Sequence, residues 1–106
     1  METKGIIIHS KANCNYCIKS KELLSSKNIP YTEIVLDPEN IEKYTVSRNE
    51  LILVSKGHIT FPWIFINGDF LGGFHELSHS FCGNTEVIKE KLKNTGIVYL
   101  ENENEF

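Results

Sequence analysis

Apolar and polar positions alternate in short blocks along the chain. Gly5 to His9, with three consecutive isoleucines, is a β-branched run of strand length and predicts a buried strand. After a polar loop at Ser10 to Asn13, the residues from about Cys14 to Lys27 predict a helix, with Cys17, Ile18 and Leu24 on or near one face. Asn28-Ile29-Pro30 ends it, and Tyr31 to Leu36 predicts a second strand. Asp37-Pro38-Glu39 has the Pro and the early acid of a helix start, so Glu39 to Lys56 is expected to be mostly helical, with a break near Thr45 to Ser47.

Further on, Trp63-Ile64-Phe65-Ile66 is an apolar strand block, and Asn67-Gly68 is the preferred two-residue hairpin turn. Asp69-Phe70-Leu71 should therefore return antiparallel. Gly72-Gly73 then leads into a helix from Phe74 to Phe81. A last helix is expected from Asn84 or Thr85 to Lys93–Gly96, with Val87, Ile88 and Leu92 apolar. The order β-α-β-α-β-β-α predicts an α/β fold: a four-stranded mixed sheet flanked by helices, its first two strands parallel and its last two a hairpin. With 106 residues there is room for one domain, taken as 1–96, followed by a short acidic tail at 97–106 that carries Glu101, Glu103 and Glu105.

Charge narrows the class of partner. A net charge of −3 argues against a general nucleic-acid binder, which carries a basic surplus. Locally the sign reverses, because Lys11, Lys19, Lys21 and Lys27 flank a cysteine pair. No apolar run reaches the roughly 18–20 residues that span a bilayer. Three cysteines, two of them in a tight pair and without a hydrophobic leader, are expected in a reducing compartment, here the cytoplasm.

The pair itself is Cys14-Asn15-Tyr16-Cys17, placed where a strand hands over to a helix. There the peptide N–H groups and the helix dipole favour a thiolate, the species that attacks disulfides. Taken alone the motif is open between redox chemistry and half of a zinc site, for which His75 and His79, at i and i+4, would be the other half. The separation from Cys17 to His75 far exceeds finger spacing, so no metal is expected. Cys82, after a helix end, is expected to be a buried apolar residue, and His58 to be exposed in its loop.

Two further features favour redox chemistry. Pro62 precedes a strand and removes a ladder donor, so it calls for a special role. With a cis bond at Phe61-Pro62, the backbone N–H and C=O of Phe61 would face an extended substrate as a short β-type clamp. Gly72-Gly73 before a helix offers N–H groups to a carboxylate.

Together, Cys14-Asn15-Tyr16-Cys17, Thr60-Phe61-Pro62 and Gly72-Gly73-Phe74-His75-Glu76-Leu77 resemble the C-x-Y-C, T-V-P and G-G-x-x-D-L set of the glutaredoxins, in the same order and over about Gly5 to Lys93. The resemblance implies a thioredoxin-like fold and glutathione-dependent thiol–disulfide exchange, with glutathione as co-substrate. By position it implies Cys14 as nucleophile and Cys17 as resolving thiol. It implies Lys11 and Tyr16 at the glycyl end of glutathione, with Arg48, taken to precede the same helix as in the family, as a second carboxylate contact. It further implies Phe61 and the cis Pro62 at the cysteinyl part, and Gly73, His75 and Glu76 at the γ-glutamyl end. Implied partners are disulfide-bearing or glutathionylated client proteins, ribonucleotide reductase among them, met by a monomer. A carrier of an iron–sulfur cluster is the competing reading, against which Tyr16-Cys17 differs from the Phe-Ser of single-thiol carriers. Asn15 for the usual Pro, Phe61 for Val and Glu76 for Asp are departures from the family pattern.

Overall fold

A computed structural model describes residues 5–81. The elements run β1 (Ile6–Lys11), α1 (Asn15–Ser26), β2 (Tyr31–Leu36), α2 (Ile41–Val54), β3 (Trp63–Ile66), β4 (Asp69–Gly72) and α3 (Phe74–Ser80). The strands form one mixed sheet in the order β2-β1-β3-β4. β1 is parallel to β2, with Ile6 opposite Tyr31, and antiparallel to β3, with His9 opposite Trp63. The β3–β4 hairpin turns at Asn67-Gly68, where Asn67 takes a positive φ of 53°. Asn67 also holds the start of β1: its N–H donates to the Gly5 carbonyl at 2.9 Å, and its Oδ1 accepts the Gly5 N–H at 3.0 Å.

Alternation along the strands sends side chains to two faces. On one face Ile6, Ile8, Ile64 and Ile66 pack with Leu24 of α1, Ile29 and Leu77 of α3. Each such burial contributes about 1.5–3 kcal/mol, so this face carries most of the apolar stabilisation. On the other face, among the described residues, Leu36, Leu51 of α2 and Trp63 are buried together, bordered by the half-buried Tyr44, Ile52, Phe61, Phe65 and Phe70.

Four expectations need correction. β1 does not end at His9 but pairs on through Lys11, which lies opposite Leu36 and so sits at the strand's end rather than in a loop. In α1, Ile18 is exposed, and the buried face is Cys17, Ser20 and Leu24. Ser20 tolerates burial because its hydroxyl donates to the Tyr16 carbonyl at 2.8 Å. α2 starts later than expected, at Asn40, whose Oδ1 caps the Lys43 N–H, while Asp37-Pro38-Glu39 forms a turn closed by Glu39 N–H to Asp37 Oδ1 at 3.0 Å. α2 also runs unbroken through Thr45 to Ser47, since three residues of modest helix propensity inside four turns cost less than the backbone bonds they would break. The expected last helix, Cys82, the acidic tail and the 96/97 domain boundary lie outside the described residues.

Candidate active site

The turn from β1 into α1 places Cys14 as the N-cap residue of α1, with extended φ and ψ of −111° and 108°. Its Sγ takes the place of a capping oxygen and accepts the Cys17 N–H at 3.2 Å. Cys14 and Cys17 are joined as a disulfide, with Cα atoms 5.2 Å apart. The two sulfurs are not equivalent: Cys14 is 9% exposed and Cys17 1%, so an incoming thiol or disulfide meets Cys14 first. The same N–H that caps the helix would stabilise a Cys14 thiolate, and no acid lies in the first turn of α1 to oppose it.

Three segments distant in sequence meet around this cap. Tyr16, half exposed, stacks on Phe74 at 5.9 Å and tilts toward His75 at 5.7 Å, which ties the start of α1 to the start of α3. Lys11 holds its ammonium 5.2 Å from the centre of the Phe61 ring and so ties the end of β1 to the loop before β3. Phe61 in turn packs edge-on against the buried Trp63 at 4.8 Å and is stacked by Tyr44 of α2 at 6.3 Å.

The Phe61-Pro62 peptide is cis, as the family resemblance implies. Pro62 is fully buried. Among the described residues, neither the backbone N–H nor the C=O of Phe61 has a hydrogen-bond partner, so the fold leaves both unpaired.

The glycine pair does something other than present two free N–H groups. Gly73 caps α3, and its N–H already donates to Glu76 Oε1 at 2.7 Å. That bond is the main reason the Glu76 carboxyl is held below the usual carboxylate range, with the nearby His58 and His75 adding to the effect. Gly72 has φ of +141°, and a Cβ there would lie 2.6 Å from the Glu76 Cβ, so only glycine lets the Glu76 side chain fold back on the cap.

His75, beside Tyr16, and Glu76 are both exposed, as a ligand contact requires. Arg48 lies inside α2 rather than before it, and its guanidinium donates to the Ile59 carbonyl at 3.1 Å, at the edge of the loop leading to Phe61. Among the described residues, no group of three or more His, Cys, Asp or Glu side chains is gathered as for a metal ion, and no helix is long and apolar enough to cross a membrane.

Two residues of this region escaped the sequence. Tyr44 backs Phe61, which no spacing rule announces. His58, expected to be exposed, is half buried between Trp63 and Phe70, at ring distances of 5.4 and 5.2 Å. Away from the sulfurs, Glu33 on β2 accepts the Ser10 hydroxyl at 2.6 Å and the Lys21 ammonium at 2.9 Å, and these bonds hold its carboxyl below the usual range. His9, with its ring edge on Phe65, is kept toward the neutral form by burial.

The comparisons with known proteins agree on one family. The glutaredoxin family model matches residues 6–71. Glutaredoxin 1 of Rickettsia prowazekii is 40% identical over 72 residues, which cover 68% of this chain and 72% of the relative. The mitochondrial glutaredoxin-2 of Homo sapiens is 34% identical over 68 residues, 64% of this chain but only 40% of that longer protein. Among solved structures, oxidized glutaredoxin 2 of Chlamydomonas reinhardtii aligns with a TM-score of 0.70 at 28% identity, over 89% of this chain and 84% of the other. A buckwheat glutaredoxin–glutathione complex aligns with a TM-score of 0.75 over 89% and 81% of the two chains, and at 23% identity it speaks for the fold alone.

Proposed function

The chain belongs to the glutaredoxin family and is a thiol–disulfide oxidoreductase, and from that premise we propose that glutathione is its co-substrate and that glutathionylated and disulfide-bonded proteins are its clients. The observation that carries the assignment of roles is the inequality of the two sulfurs. Cys14 is the more exposed and accepts an N–H at the helix start, whereas Cys17 is enclosed one turn behind it.

In the proposed cycle, glutathione thiolate attacks Cys14 of the resting disulfide and Cys17 leaves as a thiolate. A second glutathione thiolate attacks the glutathione sulfur of that mixed disulfide. Oxidised glutathione departs and Cys14 is left as a thiolate. Cys14 then attacks the glutathione sulfur of a glutathionylated client, and the client thiolate leaves. With a protein disulfide, Cys14 forms a mixed disulfide with the client, and Cys17 attacks Cys14 to release it. The helix-capping N–H serves both as a stabiliser of the Cys14 thiolate and as an aid to its departure.

We assign the open N–H and C=O of Phe61 to the cysteinyl backbone of glutathione, in the manner of an added strand. Lys11, with its charge beside Phe61, takes the glycyl carboxylate, with Tyr16 as the wall and Arg48 as a second cation within the same loop region. Exposed His75 and Glu76 and the Gly73 cap take the γ-glutamyl end, so the Glu76 carboxylate serves ligand and helix together. A monomer in a reducing cytoplasm suits this cycle. Ribonucleotide reductase is the client to test first, because its turnover regenerates a disulfide.

Trapping tests the role assignment. A Cys17→Ser protein incubated with oxidised glutathione is expected to gain one glutathione, mapped by peptide mass spectrometry to Cys14. An adduct confined to Cys82, or none, would reject the assignment.

A further inference from the structure

In the segment between α2 and β3, the His58 side chain meets rings of both β3 and β4. Its Nε2 lies 3.3 Å from the Pro62 carbonyl and 3.4 Å from the Thr60 hydroxyl. These two partners bracket Phe61 on either side. The ring stands edge-on to Trp63 and tilted on Phe70, so β3 and β4 hold its plane. Beside that same edge, Cε1 sits 3.3 Å from the position a Cβ on Gly73 would occupy, which is also 3.4 Å from the Pro62 carbonyl oxygen. The backbone is fixed as well, since the His58 carbonyl accepts the Trp63 indole N–H at 3.1 Å.

A carbonyl can only accept, so the bond to Pro62 requires the hydrogen on Nε2. Half buried and walled by aromatic rings, that bond has little competition from water. It anchors the residue after Phe61, the Thr60 hydroxyl oxygen lies within reach as a second acceptor of the same Nε2–H, and the peptide groups of Phe61 itself stay unpaired. The side chain touches neither sulfur.

We infer that His58 is a positioning residue that, through the Pro62 carbonyl, sets the pose of the Phe61 backbone and thereby the capture of the glutathione half of a disulfide substrate. The inference rests on the role given to Phe61 above. It predicts a division of labour. Loss of the Nε2 donor weakens capture of the mixed disulfide, while the thiol exchange at Cys14 proceeds at its own rate once substrate is bound. It also gives Gly73 a reason to be glycine, because a Cβ there would press on the imidazole at 3.3 Å.

The test uses the full chain and a glutathionylated peptide, with KM and kcat measured separately at saturating glutathione. His58→Phe fills the aromatic slot but donates nothing, and KM for the peptide should rise about three- to tenfold, the size expected for one hydrogen bond, with kcat within about twofold. His58→Gln restores an N–H donor and should return KM to within about twofold of the parent. Trp63, the single tryptophan, reports by its emission whether the loop has kept its packing. If His58→Phe does not melt near the parent temperature, His58→Leu replaces it with the same expectation.

A native KM in the donor-less variant would overturn the inference. So would equal losses in the Phe and Gln variants, or a loss confined to kcat. These failures differ from a failure of the proposed function, which would show as a parent enzyme without activity on the peptide or as an active Cys14→Ser protein.

Discussion

Toward the reactive end, residues far apart in sequence are bound pairwise, Tyr16 to Phe74 and His75 and Lys11 to Phe61, and local bonds tie His58 to Pro62 and Gly73 to Glu76. On the sheet face covered by α2, the contacts thin out. A cleft of about 510 Å³ opens there between α2 and β2, floored by Leu36, Phe65 and His9 and walled by Tyr44, Leu51 and Val54. α2 turns Ile41, Val46, Leu53 and Val54 mostly to solvent. Two regions of one sheet are thus built to different standards. Where sulfur chemistry needs groups held in place, contacts between elements hold them. Where α2 only has to cover the sheet and back Phe61 with Tyr44, a few anchors suffice.

The contrast is breakable by stability measurements on matched leucines. Leu77→Ala, in the close-packed core beneath α3, should cost about 3–4 kcal/mol in urea or thermal unfolding, whereas Leu51→Ala, beside the cleft, should cost about 2 kcal/mol because space already adjoins it. Equal costs would mean that the cleft does not reflect loose packing.

A smaller effect sharpens the picture at the reactive end. Glu76→Ala should lose about 1 kcal/mol at neutral pH through the Gly73 cap. The Glu76 carboxyl is more acidic folded than unfolded. Its contribution is therefore complete above the ordinary carboxylate range and is lost as pH falls through the lowered folded value. The stability gap between parent and variant should narrow on acidification, and a gap that widens would contradict the capping role. Smallest of all, Leu53→Ser on the outer side of α2 should stay within about 0.5 kcal/mol of the parent. A larger loss would show that this face is covered in solution.

What the sequence made legible follows the same division. Cys14, Cys17, Pro62 and Gly73 were readable because each is a special residue type at a turn or helix start, where local chemistry limits the choices. The strand β2 and the Asn67-Gly68 turn were readable for the same local reasons. The course of α2 was not, because its apolar residues do not keep to one face, and pattern alone could not tell a continuous helix from a broken one. The place of Lys11 is not legible in the pattern, because the strand pairing with β2 extends two residues past the apolar run and fixes it there. His58 and Tyr44 stayed hidden because their importance lies in what they touch. Both are ordinary residues in their own segments, and only the return of β3 and α3 gives them partners. Asn15 in place of the usual proline begins α1 without disturbing the cap.

The central claim is that Cys14 carries the exchange and Cys17 only assists, and glutathione-coupled reduction of a small mixed disulfide tests it most directly. Cys14→Ser should abolish turnover, while Cys17→Ser should keep much of it, since glutathione alone can complete the cycle. Full activity in Cys14→Ser would contradict the account.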